Sequence, residues 1–338
     1  MPHIALRSTP ARNADLLPSN VSVFSETALA VAPAKIPVTI IGGYLGVGKT
    51  TLLNSLIRTE PDRRLAVLVN DFGSINIDAE LIADQAGGVV SLANGCICCS
   101  IGDDLGFALL DVADLDPAPD HIVIEASGIA NPARVRGIIS MLAKLRIEAT
   151  IVLADAADLR RSAEDRQIGG LIRDQLAAAD LLVLNKVDLA TATALRDTEQ
   201  WLATAYPTTA VVRARHGVLP GELILGAAAS VIHEDAPHHH NYGPDFAHAL
   251  FETARPLDRQ AFADALDAMP PEILRGKGFV QFSDTPGTTE VLQLVGRRWS
   301  LAPAERAGDQ PTCQLSFIAL AEGFDRQCLL DGLFAAKT

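Results

Sequence analysis

Aromatic side chains are scarce: Phe, Tyr and Trp make up 5% of the 338 residues, so the cores are expected to be built from Ala, Val, Leu and Ile. Cysteine is scarcer still. Five are present, at positions 96, 98, 99, 313 and 328, too few and too unevenly spaced for a disulfide framework. Basic residues are outnumbered, 28 Lys+Arg against 41 Asp+Glu, which leaves a formal charge of −13. A field of that sign repels phosphate polyanions and excludes broad binding to nucleic acid or to anionic membrane. Any phosphate ligand therefore needs a local device. No uninterrupted apolar run reaches the roughly 18–20 residues of a membrane span. The N-terminus lacks the basic, apolar and small-residue order of a secretory signal. The expectation is a soluble cytoplasmic protein.

What is present is a globular balance of 49% hydrophobic and 20% charged residues, in a length that suits about two domains. Residues 1–34, punctuated by Pro2, Pro10, Pro18 and Pro33, read as a flexible tail. From residue 35 the pattern changes. Short apolar runs at 36–41, 65–69, 122–124, 151–153 and 181–184 are separated by helical patterns such as 131–145, 165–179 and 192–204. Buried strands alternating with helices predict an α/β fold, a mostly parallel sheet covered by helices on both faces, over 35–225. Residues 226–247, with His233 and the run His238, His239, His240, have linker composition. The linker histidines fit metal scavenging and plain solvation alike. A smaller C-terminal α+β domain over 248–338 is predicted from a helix at 258–268, strands at 279–282, 290–295 and 314–319, and a closing helix at 324–335.

Gly43-Tyr-Leu-Gly-Val-Gly-Lys-Thr50 follows the first predicted strand and opens the first predicted helix. In that context the GxxxxGK[ST] spacing is a phosphate cradle (a P-loop). Gly43, Gly46, Val47, Gly48 and Thr51 belong to the backbone nest at the helix N-terminus. Lys49 neutralises β/γ-phosphates, and the Thr50 hydroxyl ligates Mg²⁺. The strand 121–125 ends in Glu125, which stands where a P-loop protein keeps the acid that holds Mg²⁺. Asn185-Lys186-Val187-Asp188 follows the strand at 181–184. A carboxylate at Asp188 accepts both N1–H and N2–H of guanine, a pair that adenine does not offer. Asn185 can pair with the O6/N7 side and help hold the loop. The order of motifs therefore predicts GTP over ATP, and disfavours a small-molecule kinase. No water-orienting Gln or arginine finger is evident, so slow intrinsic hydrolysis is expected, raised by metal, dimerisation or a partner.

Asn94-Gly-Cys-Ile-Cys-Cys-Ser100 puts three thiols on one tight turn. Ser100 and Asp103 form a capping pair for a helix running to about 113, whose N-terminus favours thiolate at Cys98 and Cys99. Thiolates so close repel unless a cation neutralises them, which points to Zn²⁺, Co²⁺ or another divalent ion of similar softness. A redox pair of Cys96 and Cys99 leaves Cys98 unexplained, and ordinary packing fits three clustered cysteines poorly. A permanent structural zinc has four protein ligands; three leave one position exchangeable.

These motifs, in this order, resemble the CobW-type GTPase family of metallochaperones over about 36–336. The family's switch segment, Asn-Glu-Phe-Gly-Glu-x-x-x-Asp, appears as Asn70-Asp-Phe-Gly-Ser-Ile-Asn-Ile-Asp78. Its Glu-x-Ser-Gly motif appears as Glu125-Ala-Ser-Gly128, and its C-terminal Arg-x-Lys-Gly-Phe and Gln-x-x-Gly as Arg275-Gly-Lys-Gly-Phe279 and Gln293-Leu-Val-Gly296. Two positions depart from the pattern: Asp71 replaces a Glu, with shorter reach, and Ser74 replaces a second acid. The resemblance implies a GTPase that carries Zn²⁺ and passes it to a client apo-metalloprotein. Asp71 and Asp78 would be switch contacts to Mg²⁺ or water, and Asp71 a fourth zinc ligand. A homodimer is the other expected assembly. The competing implication is a regulatory GTPase whose metal is only sensing or structural.

Overall fold

The computed structural model describes residues 35–69, 90–91, 103–226, 246–304 and 313–336. Its first sheet is built from β1 (Ile36–Gly42), β2 (Leu65–Val69), β3 (Val90–Ser91), β4 (His121–Glu125), β5 (Leu145–Asp155), β6 (Leu181–Asn185) and β7 (Ala210–Arg213). The strand order is β3-β2-β4-β1-β5-β6-β7, and every pairing is parallel. The crossovers are α1 (Lys49–Thr59), α2 (Asp103–Ala113), α3 (Pro132–Ser140), α4 (Leu159–Glu164), α5 (Gly169–Ala177) and α6 (Ala192–Ala205), and α7 (Gly221–Leu225) follows the last strand.

Strand periodicity sorts the core. Ile41, Ile151, Leu153 and Val183 point to one face with Leu52, Leu53 and Leu56 of α1. Val38 and Ile40 point to the other, with Leu109 of α2 and Ile139 of α3. Both faces are apolar, as parallel strands require. The first face is not closed by helices alone, because Leu274, Val295 and Ile318 of the second sheet complete it.

That second sheet is antiparallel, in the order β11-β10-β9-β12-β8. It contains β8 (Phe246–Thr253), β9 (Ile273–Gln281), β10 (Thr289–Val295), β11 (Arg298–Pro303) and β12 (Cys313–Leu320), with α8 (Arg259–Asp267) and α9 (Arg326–Phe334) packed on it. Its core corrects the expectation of an aliphatic interior: Phe251, Phe262, Phe282 and Phe317 are all fully buried here. The few aromatics are concentrated where a small sheet needs large side chains.

Several boundaries also differ. The helix expected at 131–145 ends at Ser140, and Leu145 already opens β5, which runs for 11 residues instead of three. The helix expected at 165–179 is the shorter α5, preceded by a separate α4. β8 begins at Phe246, inside the range read as linker. β9 begins at Ile273 rather than at 279, and so includes the whole Arg275-Gly-Lys-Gly stretch. Its glycines permit β12 to lie close. A Cβ on Gly276 would come within 2.8 Å of the Phe317 ring, and one on Gly278 within 1.9 Å of Gln314 O. No described helix is long and apolar enough to cross a membrane.

The two sheets are joined by buried ionic contacts. Arg275 donates to Glu148 Oε1 at 3.0 Å and to the carbonyls of Leu223 and Ile224 at 2.9 and 2.7 Å. Arg146 donates to Glu148 and, at 2.9 Å, to Gln293 Oε1. Arg298 grips Asp180 at 2.9 and 3.0 Å, and Arg136 reaches the same carboxylate at 2.7 Å. Burial alone would raise the Glu148 pKa; Arg275 and Arg146 outweigh it and hold it at about 2.

His121 lies beneath this network, 2% exposed. Thr39 donates its hydroxyl proton to Ile224 O at 3.0 Å, so the 2.9 Å contact to His121 is assigned as Nε2–H donating to Thr39 Oγ1. Burial drives the ring's pKa down to about 3; Arg146 and Arg275 push the same way and Glu148 opposes them. A depressed folded pKa means that only the neutral ring favours the fold. Its contribution is complete above about pH 6.5 and is lost as pH falls towards 3. At about 1.4 kcal/mol per pH unit, the chain should lose about 3 kcal/mol between pH 7 and pH 4 through this group. Urea unfolding of the native chain and of His121→Gln across that range checks it: the variant should lack this component, and parallel curves would remove the assignment.

Candidate functional site

The phosphate loop leaves β1 at the centre of the sheet, between β4 and β5. Gly43, Gly46 and Gly48 have φ of 128°, 73° and 102°, in the region that disfavours side chains. Two of them also permit close approach. A Cβ on Gly43 would sit 2.3 Å from Leu153 O, and one on Gly48 2.4 Å from Asn185 Nδ2. At Gly46 a Cβ would meet nothing within 4 Å. Helix α1 opens at Lys49 with no side-chain cap on Gly48 and no acid in its first turn. Its N-terminal N–H groups thus keep their attraction for an anion, which suits a phosphate.

Lys49 is buried, and its ammonium donates to Gly43 O and Tyr44 O at 3.0 and 3.1 Å, across the loop itself. The Thr50 hydroxyl donates to Glu125 Oε1 at 2.8 Å. With its proton there, the hydroxyl oxygen keeps lone pairs for a cation. Glu125 ends β4, 5% exposed. A hydroxyl and a carboxylate are hard oxygen donors, so this pair fits Mg²⁺. Val47 is buried and Thr51 is exposed on the first turn of α1.

Asn185 is 2% exposed, and its amide is turned to protein. Nδ2 donates to Val47 O at 2.9 Å, while Oδ1 accepts from Gly217 N at 3.0 Å. Of the two roles read from sequence, holding the loop is the one this geometry provides. Lys186 has φ 60° and donates to Asp155 Oδ2 at 2.9 Å. Leu189 N donates to Lys186 O at 2.9 Å, closing a turn that leaves Asp188 exposed beyond β6. The turn at 215–218 was not anticipated. His216 and Gly217 have φ of 52° and 65°, and Gly217 lies against α1, where a Cβ would be 2.8 Å from Leu52 N. Its one sequence signal is a His-Gly pair after a short strand.

Gly43, Glu125, Asp155 and Asn185 therefore meet at the carboxyl edge of one parallel sheet, where open α/β sheets bind ligands. Asp71, Asp78, Cys96, Cys98 and Cys99 lie outside the described residues. Among the described residues no group of three or more His, Cys, Asp or Glu could hold a metal ion. The described cysteines do other work: Cys313 is buried, its Sγ accepting from Gln281 N at 3.4 Å, and Cys328 is exposed.

Comparison with known proteins agrees with this arrangement. Residues 37–213 match the CobW/HypB/UreG nucleotide-binding domain, and residues 246–337 match the cobalamin synthesis protein CobW C-terminal domain. The zinc chaperone CobW of a Sinorhizobium species is 31% identical over 310 residues, covering 78% of this chain and 86% of its own. The zinc chaperone CobW of Pseudomonas aeruginosa is 31% identical over 308 residues, covering 79% and 82%. The zinc-regulated GTPase metalloprotein activator 1 of Dictyostelium discoideum is 27% identical over 325 residues, covering 79% and 66%.

Proposed function

The chain belongs to the CobW family of nucleotide-binding proteins, and from that premise we propose that it is a GTP-hydrolysing metallochaperone: it takes up Zn²⁺ and hands it to a client apo-metalloprotein in step with its nucleotide. The observation that carries the GTPase half is the hydrogen bond from Asn185 to Val47 O at 2.9 Å. It ties the loop bearing Asp188 to the phosphate cradle, so base and phosphate subsites are held at a fixed separation. Asp188 selects guanine, the glycine nest and Lys49 hold the phosphates, and Thr50 and Glu125 hold Mg²⁺. When bound, Mg²⁺ supplies positive charge to the β- and γ-phosphate oxygens. Water attacks the γ-phosphorus in line and the bond to the bridging β–γ oxygen breaks, with positioning and electrostatics providing most of the acceleration. Asp71 and Asp78 are the proposed switch contacts.

The cargo half rests on Cys96, Cys98 and Cys99, with Asp71 or water as fourth ligand to Zn²⁺. The cluster lies in the chain between the switch segment and Glu125, so a change in nucleotide is expected to change the zinc shell. Zn²⁺ titrations of the nucleotide-free, GDP-bound and non-hydrolysable-GTP-bound protein, under reducing conditions, test it. The expected difference is about 5–150-fold in affinity, and by linkage Zn²⁺ alters nucleotide affinity by the same factor. Three identical affinities would leave a GTPase with a static zinc site and no transfer switch.

A further inference from the structure

We propose that Gln175 is a positioning residue for hydrolysis, the group that fixes the loop between Glu125 and α3 against the phosphate cradle. The proposal rests on the GTPase reading above and deepens it.

Gln175 belongs to α5, 47 residues along the chain from Gly128, and is 1% exposed. Its Nε2 donates to two carbonyls of one loop, Gly128 O at 3.0 Å and Ala130 O at 2.9 Å. Both partners are acceptors only, so the orientation of the amide is settled by chemistry. Core filling does not explain a polar residue here. Ile172 and Leu176 on the same helix already pack into the apolar cluster beside the sheet. A hydrocarbon at 175 would take the donor from both carbonyls, one buried and one partly buried, the expensive way to lose a hydrogen bond.

The loop so held has little freedom elsewhere. At its start Glu125 accepts from Thr50 at 2.8 Å. In its middle Gly128 touches the phosphate loop, where a Cβ would come within 2.8 Å of Leu45 N and 2.5 Å of Leu45 Cδ2. Ala130 N donates to Ser127 O at 2.9 Å, and the Asn131 side chain caps α3 by accepting from Ala133 N. The loop is thus clasped between the cradle and one side-chain amide. Fixing the carbonyls of 128 and 130 also fixes the peptide planes they share with the N–H groups of Ile129 and Asn131, and with them the directions in which the backbone runs past Gly128, the residue in contact with the phosphate loop. Those directions bear on hydrolysis, where a displacement of about 1 Å can cost about a hundredfold, more than on base binding.

The test uses the full chain with Gln175→Met, of similar length but with no donor, and Gln175→Asn, which keeps the amide on a shorter stem. For Gln175→Met the expected kcat for GTP is about 10–100-fold below native, with the Kd for GDP within about twofold. Gln175→Asn should fall between. An unchanged kcat in a variant that still binds GDP, or equal losses in kcat and GDP affinity, would overturn the role. If Gln175→Met binds no GDP at all, hydrogen exchange on the native chain decides. Amides of 126–131 and 169–177 should gain protection together when a non-hydrolysable GTP analogue replaces GDP, and independent behaviour would overturn the role. A native chain that hydrolyses no GTP would instead overturn the GTPase reading beneath it.

Discussion

Lys49→Ala should lower single-turnover GTP hydrolysis by at least about 10²–10³-fold, the scale set by removing a donor aimed at transition-state charge. The chain carries a formal charge of −13, so its overall field opposes a triphosphate and the attraction must be local. The Lys49 ammonium is already inside the cradle, between the carbonyls of Gly43 and Tyr44 at 3.0 and 3.1 Å. A compact point charge suits that bracket. Lys49→Arg, whose planar guanidinium is larger, should restore little of the rate. Phosphate release after rapid mixing with GTP measures both. Native turnover in a folded Lys49→Ala protein would remove the phosphate-cradle assignment.

The second large effect concerns the base. Asp188→Asn should weaken GTP by about a hundredfold or more and bring xanthosine triphosphate into the useful range, because the amide donates where xanthine presents O2. The native protein should reject ATP at matched concentration. The substitution leaves Asn185 in place, so the cradle keeps its tie to Val47 O and phosphate affinity is untouched. Competition titrations with the three triphosphates read the switch. Equal affinity of the native chain for ATP and GTP would contradict the guanine assignment.

The site was legible in proportion to how local its determinants are. Gly43 to Thr50 is a contiguous device whose spacing is set by one turn of backbone, and Asn185 to Asp188 sits directly after an apolar strand. Glu125 is a carboxylate at the end of such a strand. The parallel sheet followed from the same runs. What escaped depends on partners distant in sequence. Arg146 and Glu148 interrupt an apolar pattern and so hid the first half of β5, yet Glu148 is buried because Arg275 reaches it from 127 residues away. Arg275 and Lys277 hid the first half of β9 for the same reason. Gln175 carries no signal of its own in the sequence, because its carbonyl partners lie 45 and 47 residues distant. Composition misled in a different way: an average over the whole chain concealed that Phe251, Phe262, Phe282 and Phe317 all serve one small core.

The ionic seam between the sheets bears on how such a protein can change over generations. The two matched domains are separated at 213 and 246, and a recombination event there would preserve both motifs intact. It would not preserve the seam. The two sheets share a core, with Leu274, Val295 and Ile318 in the same apolar cluster as Ile41 and Leu53. A donor second sheet lacking Arg275 would leave the buried Glu148 to Arg146 alone, and breaking a buried pair costs up to about 3–5 kcal/mol; one lacking Arg298 would leave Asp180 to Arg136 alone. Glu148 is therefore expected to vary together with Arg275, and Asp180 with Arg298. An exchange that brings in a half without the matching residues is expected to carry that cost, so the seam sets a condition on recombination that neither domain sets by itself.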